Sequence, residues 1–594
     1  MKQGIVLTFL LMIAWGTFAS DSKFEYLFPI PGTALHSKNT DIIIRPGYSL
    51  SQQDINKLES TKVIGSVSGS HDFKATLVEN SRTIVFDFDQ PFLPGEEIEV
   101  IFDTSFRGFD LNPIGTFDYH FSISASKKYV SDFDWSNKEV FATQEKDTDS
   151  LPPGFPVIDI QIPGATYDAE IFITPTSSSY DLIILKEDGF PEYVNNNLNG
   201  FITNLQMQQG LLTFAQVSGP PKFLVMDSAY QFVDTLQMQN GLTTDTHELI
   251  LKSNGSFYGI SYDQEIIDMS QLVPGGNPQA NVTGVVIQEV DPNNNVLFEW
   301  RSWDHFDIMD AVHNGTDSIN FTAQNVSYVH CNSIEIDPNG DLIISNRNMN
   351  EVTKISRTTG DIIWRMGGKN NQFTFIDDFP YGFTAQHDAR LRPNGNLTLF
   401  DNGYFHQAPE TRVVEYELDE VNLTATLVRE IVSPIGVPSI RTGNAQSLPN
   451  GNLFIGWGRP DASGTFIAAE YDQNDNIVFQ LTTLQGGGFG YSYRAFKYPW
   501  RPEVVTSLSN IVETIDFSIF PNPTSGNIKI NFGERTPENT VLMVSDVTGR
   551  LIQSQHIPSG IDQLQLGMDV KQGVYLLSID ANGQIGTKKL IISE

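Results

Sequence analysis

Short runs in which apolar and polar residues alternate, separated by Gly, Pro, Asn and Asp, extend along most of the chain. Alternation with a period of two is typical of β-strands. Within residues 166–503 the runs repeat as a strand, an Asn-Gly turn, a second strand, and two further strands joined by a polar turn. Three copies carry Pro-Asn-Gly, at 338–340, 393–395 and 449–451, about 55 residues apart. Asn-Gly between such runs predicts a hairpin, because both turn residues take positive φ.

Further turns extend the repeat towards the N-terminus. Weaker copies of the first hairpin turn occur at 253–255, 209–210 and 188–189. Polar turns that we expect to join outer strands occur at 291–294, 358–361 and 472–475. Six units of four strands predict a six-bladed β-propeller, with an irregular pair of β-sandwiches as the alternative.

The segments on either side of the repeat also have the pattern of β structure, so the chain is predicted to be all-β. Residues 21–125 resemble an immunoglobulin-like β-sandwich module; a β-sandwich cap without a separate function is the alternative reading. Residues 126–165 are polar and interrupted by Pro-Pro-Gly, which predicts a linker or docking segment. Residues 504–515 are predicted to be a second linker, and residues 516–594 are predicted to form a further β-sandwich.

The first twenty residues predict a signal peptide. Lys2 supplies a positive charge, an apolar run follows from Ile5 to Trp15, and small residues precede Asp21. No later stretch approaches 18 uninterrupted apolar residues, so we expect no stable membrane insertion of the mature protein.

Charge and cysteine content narrow the possible functions. The chain has 37 basic and 71 acidic residues, a net charge of −34, which argues against nucleic acid as a partner. Its single cysteine, Cys331, excludes an intrachain disulfide and zinc sites built from several cysteines of one chain.

Three of the ten histidines stand at matching places in the repeat. His247 and His387 lie seven residues before the Asn of their turns, and His330 lies nine before. Offsets of equal parity place the three side chains on one face of their strands. Since the first strand of each unit lines the axis of a propeller, the three imidazoles should converge at one mouth of the axial channel.

Two arginines are expected beside these histidines. Arg347 follows the turn of its hairpin and returns towards His330, and Arg441 occupies the register of His330 in another unit. Such a pocket suits a compact tetrahedral oxyanion, because arginine is a permanent planar donor and histidine exchanges protons. Structural hydrogen-bonding histidines are one alternative. A zinc site is another, although a guanidinium repels a dication.

The same stretches resemble the bacterial arylsulfotransferase family over roughly residues 165–500. The motifs are His-Cys-Asn-Ser at 330–333, Ser-Asn-Arg-Asn at 345–348, Gln-His-Asp-Ala-Arg at 386–390 and Phe-Asp-Asn-Gly at 400–403. The resemblance implies a six-bladed propeller and transfer of a sulfuryl group from a phenolic sulfate ester to a phenol, without a nucleotide sulfate donor. It implies no cofactor and no metal, and its small-molecule partners are the aryl sulfate and the phenolic acceptor.

This resemblance also assigns residue roles. His387 is expected to be the nucleophile, and His330, His247 and Arg347 to complete the catalytic group. Arg347, His247, Arg441 and Asn332 are the expected substrate contacts. One of the two other histidines must exchange a proton with the phenolic oxygen, and we favour His330. Asp388 alternates to the opposite face and is expected to be structural.

The C-terminal segment resembles the sorting domain of the type IX secretion system. It has Phe-Pro-Asn-Pro-Thr-Ser-Gly at 520–526, Asp-Val-Thr-Gly-Arg at 546–550 and Gly-Val-Tyr at 573–575. The resemblance implies the secretion machinery as a partner and a secreted or cell-surface location.

The alternatives to a sulfotransferase are a non-catalytic surface propeller that binds a sulfated or glycan ligand, and a metal-dependent hydrolase or lyase.

Overall fold

A computed structural model of the chain describes most residues between 23 and 592. Not described within that range are residues 59, 80, 103–106, 108–110, 112–113, 115–116, 126–150, 153, 197, 313–318, 379–381, 437, 461–465, 484–489, 501–516, 533–534, 537–539, 547–550, 569 and 582–583. The predicted signal peptide, most of the linker at 126–165, the linker at 504–515 and the motif residues 547–550 lie outside the described residues. The chain divides into two compact units, Met1–Trp500 and Arg501–Glu594.

The structure confirms the all-β class, with 52% strand and 4% helix. The N-terminal elements are β1 (Tyr26–Phe28), β2 (Ile42–Arg45), α1 (Gln52–Leu58), β3 (Lys62–Gly65), β4 (Gly69–His71), β5 (Phe73–Val78), β6 (Thr83–Phe88), β7 (Glu97–Ile101) and β8 (Asp118–Ser122). They form two sheets, β1-β2-β6-β5 and β4-β3-β7-β8. The sheets share one core, in which Ile42, Phe86, Val100 and Phe121 are buried.

The central region contains 29 strands and one short α-helix among the described residues. Its first half comprises β9 (Ile158–Gln161), β10 (Glu170–Pro175), β11 (Leu182–Leu185), β12 (Pro191–Asn195), β13 (Phe201–Gln208), β14 (Leu211–Val217), β15 (Lys222–Met226), β16 (Phe232–Leu236), β17 (Thr244–Leu251), β18 (Phe257–Ile267), β19 (Ala280–Val290), β20 (Val296–Arg301), α2 (Ser302–His305) and β21 (Asn325–Ser327). The second half comprises β22 (Cys331–Ile336), β23 (Leu342–Asn346), β24 (Glu351–Ile355), β25 (Ile362–Gly367), β26 (Thr374–Ile376), β27 (His387–Leu391), β28 (Leu397–Asp401), β29 (Arg412–Asp419), β30 (Thr424–Val432), β31 (Ser439–Arg441), β32 (Asn444–Ser447), β33 (Leu453–Gly456), β34 (Arg459–Pro460), β35 (Phe466–Tyr471), β36 (Ile477–Thr483) and β37 (Ser492–Tyr498). Single 3₁₀ turns lie at Met269–Gln271, Ile308–Asp310 and Arg347–Met349.

Six of the described sheets in this region have four or five strands. Their orders are β37-β10-β11-β12, β13-β14-β15-β16, β17-β18-β19-β20, β22-β23-β24-β25, β27-β28-β29-β30-β26 and β32-β33-β35-β36-β9. The strands β13, β17, β22, β27, β32 and β37 each contact the next, and β37 contacts β13 again. This closed ring of inner strands is the arrangement of a β-propeller, and we interpret the six sheets as its blades.

Apolar clusters join each sheet to its neighbour. Ile343 and Val352 pack against Leu397 and Val414, for example, and Ile171 of the first sheet packs against residues of the last. Strands buried on both faces have continuous apolar sequences, as in Leu182–Leu185. The core is therefore divided among the sheet interfaces, and the ring axis is left for polar residues.

The Asn-Gly turns occupy their expected places with one exception. The turns at 338–340, 393–395 and 449–451 join the two innermost strands of their sheets, and those at 291–294 and 358–361 join the two outermost. The turn at 472–475 joins β35 to β36, and β9 adds a fifth strand outside β36. The expectation for Asp188-Gly189 is wrong, because this turn joins the outer strands β11 and β12. The innermost strand of that sheet is β37, from the other end of the region, so the sheet has no first hairpin within its own sequence repeat.

The N-terminal sheets and the propeller share buried contacts. The Tyr26 hydroxyl donates to the carbonyl oxygen of Glu299 at 2.7 Å, and the Arg45 guanidinium donates to the carbonyl oxygens of Arg357 and Thr358 at 3.1 and 3.0 Å. Tyr26 also belongs to the same apolar cluster as the propeller strands β18, β19 and β22. These contacts fix the N-terminal module against the outer strands of the ring.

The second unit contains seven described strands: β38 (Phe517–Phe520), β39 (Asn527–Phe532), β40 (Thr540–Asp546), β41 (Leu551–Ile557), β42 (Gln563–Gly567), β43 (Gly573–Ala581) and β44 (Gln584–Ile592). They form the sheets β38-β39-β42 and β41-β40-β43-β44. Ile530, Leu542 and Leu577 lie in their shared core. The predicted opening motif, 520–526, links β38 to β39.

Four charged residues on the inner strands form a buried group that we call the axial ion cluster: Glu248, Asp388, Arg390 and Arg494. Arg494 is fully buried, and its guanidinium lies 3.1 Å from the Glu248 carboxylate. Arg390 forms ion pairs with Glu248 and, at 2.8 Å, with Asp388. The cluster contains two positive and two negative charges, so its members compensate one another in the low-dielectric interior.

This cluster contacts every inner strand. Arg494 of β37 donates to Asn204 of β13 at 3.2 Å and to the carbonyl oxygen of Asn332 of β22 at 2.7 Å. Glu248 lies on β17, and Asp388 of β27 accepts the backbone N–H of Ala445 of β32 at 3.0 Å. The expectation that Asp388 is structural agrees with these contacts.

Removing one member of the cluster should destabilise the propeller. In Arg494→Gln, Glu248 stays buried with less compensation, and we expect a loss of about 3–5 kcal/mol in the free energy of unfolding. Arg429→Gln, which removes an ion pair to the exposed Asp475, should cost less than about 1 kcal/mol. Denaturant unfolding of both variants measures the difference, and equal losses would contradict a central role for the cluster.

Candidate functional site

The predicted histidines stand at irregular starts of three inner strands. Pairing between β17 and β18 shifts between Thr244 and Leu249, and pairing between β27 and β28 shifts between His387 and Arg390. His330 itself has a φ of 56°, in the left-handed region that non-glycine residues seldom adopt. Simple alternation therefore does not hold across these positions. Bulges direct the side chains, as is common beside functional sites.

His247 and His330 lie together at one end of the ring. Their ring centroids are 4.9 Å apart, with nearly perpendicular planes. The Nδ1 atom of His247 lies 2.6 Å from Oδ1 of Asp245 and 3.3 Å from the Tyr262 hydroxyl. That hydroxyl donates to the carbonyl oxygen of Cys331 at 2.8 Å. The Asp245 carboxylate thus holds the Nδ1 hydrogen of His247 and orients the ring.

His387 is buried with its tautomer defined by its neighbours. Its Nδ1 lies 2.7 Å from Oδ1 of Asn402 and 3.2 Å from the carbonyl oxygen of Ala385. The Asn402 amide nitrogen donates to the carbonyls of Ser439 and Thr442 at 2.6 and 3.0 Å, so its oxygen faces the histidine. The two oxygen atoms near Nδ1, Oδ1 of Asn402 and the carbonyl oxygen of Ala385, can only accept hydrogen bonds. The neutral ring therefore carries its hydrogen on Nδ1 and a lone pair on Nε2, where the Thr442 N–H approaches to 3.3 Å.

Burial and positive neighbours keep two of the histidines neutral. Desolvation, followed by the charge of Arg347, holds the pKa of His387 well below its usual range. For His330, desolvation, His247 and then Arg347 lower the pKa in the same direction. At neutral pH both rings are therefore uncharged, and His387 offers an unprotonated Nε2.

Arg347 returns to His330 as its hairpin predicts. Its backbone N–H donates to the carbonyl oxygen of His330 at 3.0 Å. The guanidinium donates to Oδ1 of Asn348 at 3.0 Å and to the carbonyl oxygen of Ile440 at 3.2 Å. Arg441 is the next residue after Ile440, and its side chain is exposed. Its positive charge contributes to lowering the pKa of His330. The structure thus brings both arginines to the group of histidines.

Asn332 has a different environment. It is fully buried, and its amide nitrogen donates to the carbonyl oxygen of Gln386 at 2.8 Å, next to His387 in the chain. Its own carbonyl oxygen accepts from Arg494 of the axial ion cluster. Asn332 therefore connects that cluster to the backbone that carries His387.

Several residues of the site were not identified from the sequence. Asp245 stands two positions before His247, and this spacing could have suggested the pair. Asn402 belongs to the Phe-Asp-Asn-Gly motif, but nothing in the spacing relates it to His387. Tyr262 and Tyr493, whose rings lie 5.5 and 5.6 Å from that of His247, come from other strands and have no local signal.

Comparisons with known proteins agree with two of the expectations. Residues 211–484 match the family model described as arylsulfotransferase (ASST), and residues 518–593 match that of the secretion system C-terminal sorting domain. The sorting domain indicates export and a secreted or cell-surface location. In the part of the chain that the structure describes, no helix is both long enough and apolar enough to cross a membrane.

Solved structures resemble the chain only distantly. A protein of unknown function from Bacteroides caccae is similar over 56% of this chain and 99% of its own, with 13% identity and a TM-score of 0.36. A catalytically inactive virginiamycin B lyase from Staphylococcus aureus, with quinupristin, covers 63% and 96%, with 10% identity and a TM-score of 0.29. Scores this low carry no argument about function. No curated protein matches the chain.

Proposed function

Because residues 211–484 match the arylsulfotransferase family model, we propose that this protein transfers a sulfuryl group from a phenolic sulfate ester to a phenol through a covalent intermediate on His387. The observation that carries the proposal is the arrangement around His387. Asn402 holds the hydrogen on Nδ1, and burial keeps the ring neutral. The Nε2 lone pair, which accepts a long hydrogen bond from the Thr442 N–H at 3.3 Å, can attack sulfur when that bond is released.

In the first half-reaction, Nε2 of His387 attacks the sulfur atom in line with the aryl oxygen. An N–S bond forms, the S–O bond to the aryl group breaks, and the electron pair passes to the phenolate oxygen. Sulfuryl transfer resembles phosphoryl transfer in this geometry, so positioning and charge stabilisation supply most of the catalysis. Asn402 stabilises the sulfo-histidine by accepting from its Nδ1–H.

We propose that His247 exchanges a proton with the phenolic oxygen, although the sequence favours His330 for this role. The Asp245 carboxylate lies 2.6 Å from Nδ1 of His247 and orients its ring, whereas burial and positive neighbours depress the pKa of His330. Protonated His247 donates to the leaving phenolate. Neutral His247 then takes the proton of the acceptor phenol, whose oxygen attacks sulfur and releases His387.

The remaining groups are proposed to stabilise the transferring sulfuryl oxygens. Arg347 supplies a permanent charge beside His330 and His387, and neutral His330 can donate one N–H. Asn332, whose amide is committed to the Gln386 carbonyl, would act by positioning His387. The physiological partners would be an aryl sulfate, a phenol and, during export, the type IX secretion machinery.

Replacing His387 should abolish transfer. In His387→Asn the nucleophilic lone pair is lost, and we expect turnover of 4-nitrophenyl sulfate with a phenol acceptor to fall by about 10⁴-fold or more. His556→Ala, an exposed position in the C-terminal unit, is the control and should keep its rate. Substantial activity in His387→Asn would refute the assignment of the nucleophile.

Asp245 should act as a positioning residue for His247. Asp245→Asn removes the negative charge at Nδ1, so we expect kcat to fall by about 10²–10⁴-fold with little change in KM. In Asp245→Asn the pH profile of kcat should differ from that of the unsubstituted protein, and Asp245→Glu should recover part of the rate. The same measurements on His330→Gln decide between the candidates: if His330→Gln changes the pH profile and Asp245→Asn does not, the proton passes through His330.

A further inference from the structure

Most arginines of the propeller are held by carboxylates. Those with an ion pair are Arg301, Arg357, Arg365, Arg390, Arg392, Arg412, Arg429 and Arg494. Arg441 and Arg459 form no ion pair with any residue that the structure describes. In a chain with 71 acidic residues, two neighbouring arginines without a carboxylate partner among the described residues favour the binding of an anion.

Arg441 and Arg459 are direct neighbours on two short strands. In the antiparallel pair β31–β34, Arg441 lies opposite Arg459, and both side chains are exposed. Like charges directly opposite each other in a sheet are destabilising. A bound anion between the two guanidinium groups would convert this repulsion into attraction.

This strand pair borders the proposed catalytic pocket. The residue before Arg441, Ile440, accepts from Arg347 at 3.2 Å, and the residue after it, Thr442, approaches Nε2 of His387 at 3.3 Å. The charge of Arg441 reaches His330. The arginine pair is therefore adjacent to the pocket and separate from the atoms that would hold the transferred group.

The side chain of Arg459 packs on the aromatic ring of Tyr491. The guanidinium carbon of Arg459 lies 5.2 Å from the centroid of Tyr491, a cation–π contact that holds the side chain beside the strand β37. Tyr493, two residues further on, lies 5.6 Å from the His247 ring. Arg459 thus packs on the same short segment of chain that contacts His247.

We propose that Arg441 and Arg459 bind a second anionic substituent of the substrate, a carboxylate or a further sulfate, while the first site holds the sulfuryl group. The preferred substrates would be phenols and aryl sulfates that bear this extra anion. Two guanidinium groups match the geometry of such oxyanions and can bind them through paired hydrogen bonds. This inference rests on the proposed function, since it concerns the substrate of the same site.

Acceptor specificity tests the inference. With 4-nitrophenyl sulfate as constant donor, kcat/KM is compared for 3-hydroxybenzoate, 3-hydroxyphenyl sulfate and the neutral 3-hydroxybenzamide. We expect at least one anionic acceptor to exceed the amide by about tenfold, as one charge-assisted contact allows; the better anion identifies the substituent. In Arg459→Gln, and separately in Arg441→Gln, the ratio of anionic to neutral acceptor should fall towards one. Arg429→Gln, whose partner is Asp475 in the turn between β35 and β36, should retain the ratio.

The outcomes separate the two claims. Absence of sulfated product with every acceptor would contradict the proposed function, and the inference with it. Transfer with equal kcat/KM for anionic and neutral acceptors would overturn the second anion site alone. If the preference for anionic acceptors persists in both Arg441→Gln and Arg459→Gln, other residues recognise the anion, and the second anion site is overturned.

Discussion

The buried charges on the ring axis are the constraint on which the rest of the propeller depends. Six sheets pack side by side through apolar clusters, but their inner strands meet at the axis through polar groups. Glu248 and Asp388 compensate Arg390 and Arg494, and the four together contact all six inner strands. A buried charge without its partner is costly, so these contacts favour one relative placement of the strands. The histidines lie near the irregular starts of three of the same strands, so the contacts that position these strands also position the histidines.

The electrostatics of the site separate roles among similar side chains. The chain carries a large negative charge, yet the groups around His387 are arginine, neutral histidine and amide. Burial, followed by the charge of Arg347, lowers the pKa of His387 and so keeps the nitrogen that is proposed to attack unprotonated. Asp245 gives His247 the opposite environment, with a carboxylate at Nδ1. The proposed nucleophile and the proposed proton carrier are both histidines and differ in burial and in their partners, in the way that environments divide acid and base roles in other enzymes.

Much of the architecture could be predicted because it is encoded locally. Asn-Gly turns mark hairpins by their own φ requirements, and the sorting segment carries short motifs that the family comparison confirms. Asp188-Gly189 was misplaced because the strand that completes its sheet, β37, comes from the far end of the region. Equal parity predicts the histidine group, although shifted pairing near His247 and His387 and the positive φ of His330 interrupt the alternation. Asn402 could not be related to His387, since their contact depends on two strands folding together.

The central claim is a covalent sulfo-histidine at His387. It is tested most directly by mixing the protein with 4-nitrophenyl sulfate in the absence of acceptor, quenching within one turnover, and analysing the proteolytic peptides by mass spectrometry under conditions that preserve an N–S bond. The account predicts one added sulfuryl group on the peptide that contains His387, absent in His387→Asn and discharged when a phenol is added before the quench. Formation of sulfated product without any modified histidine peptide would contradict the account.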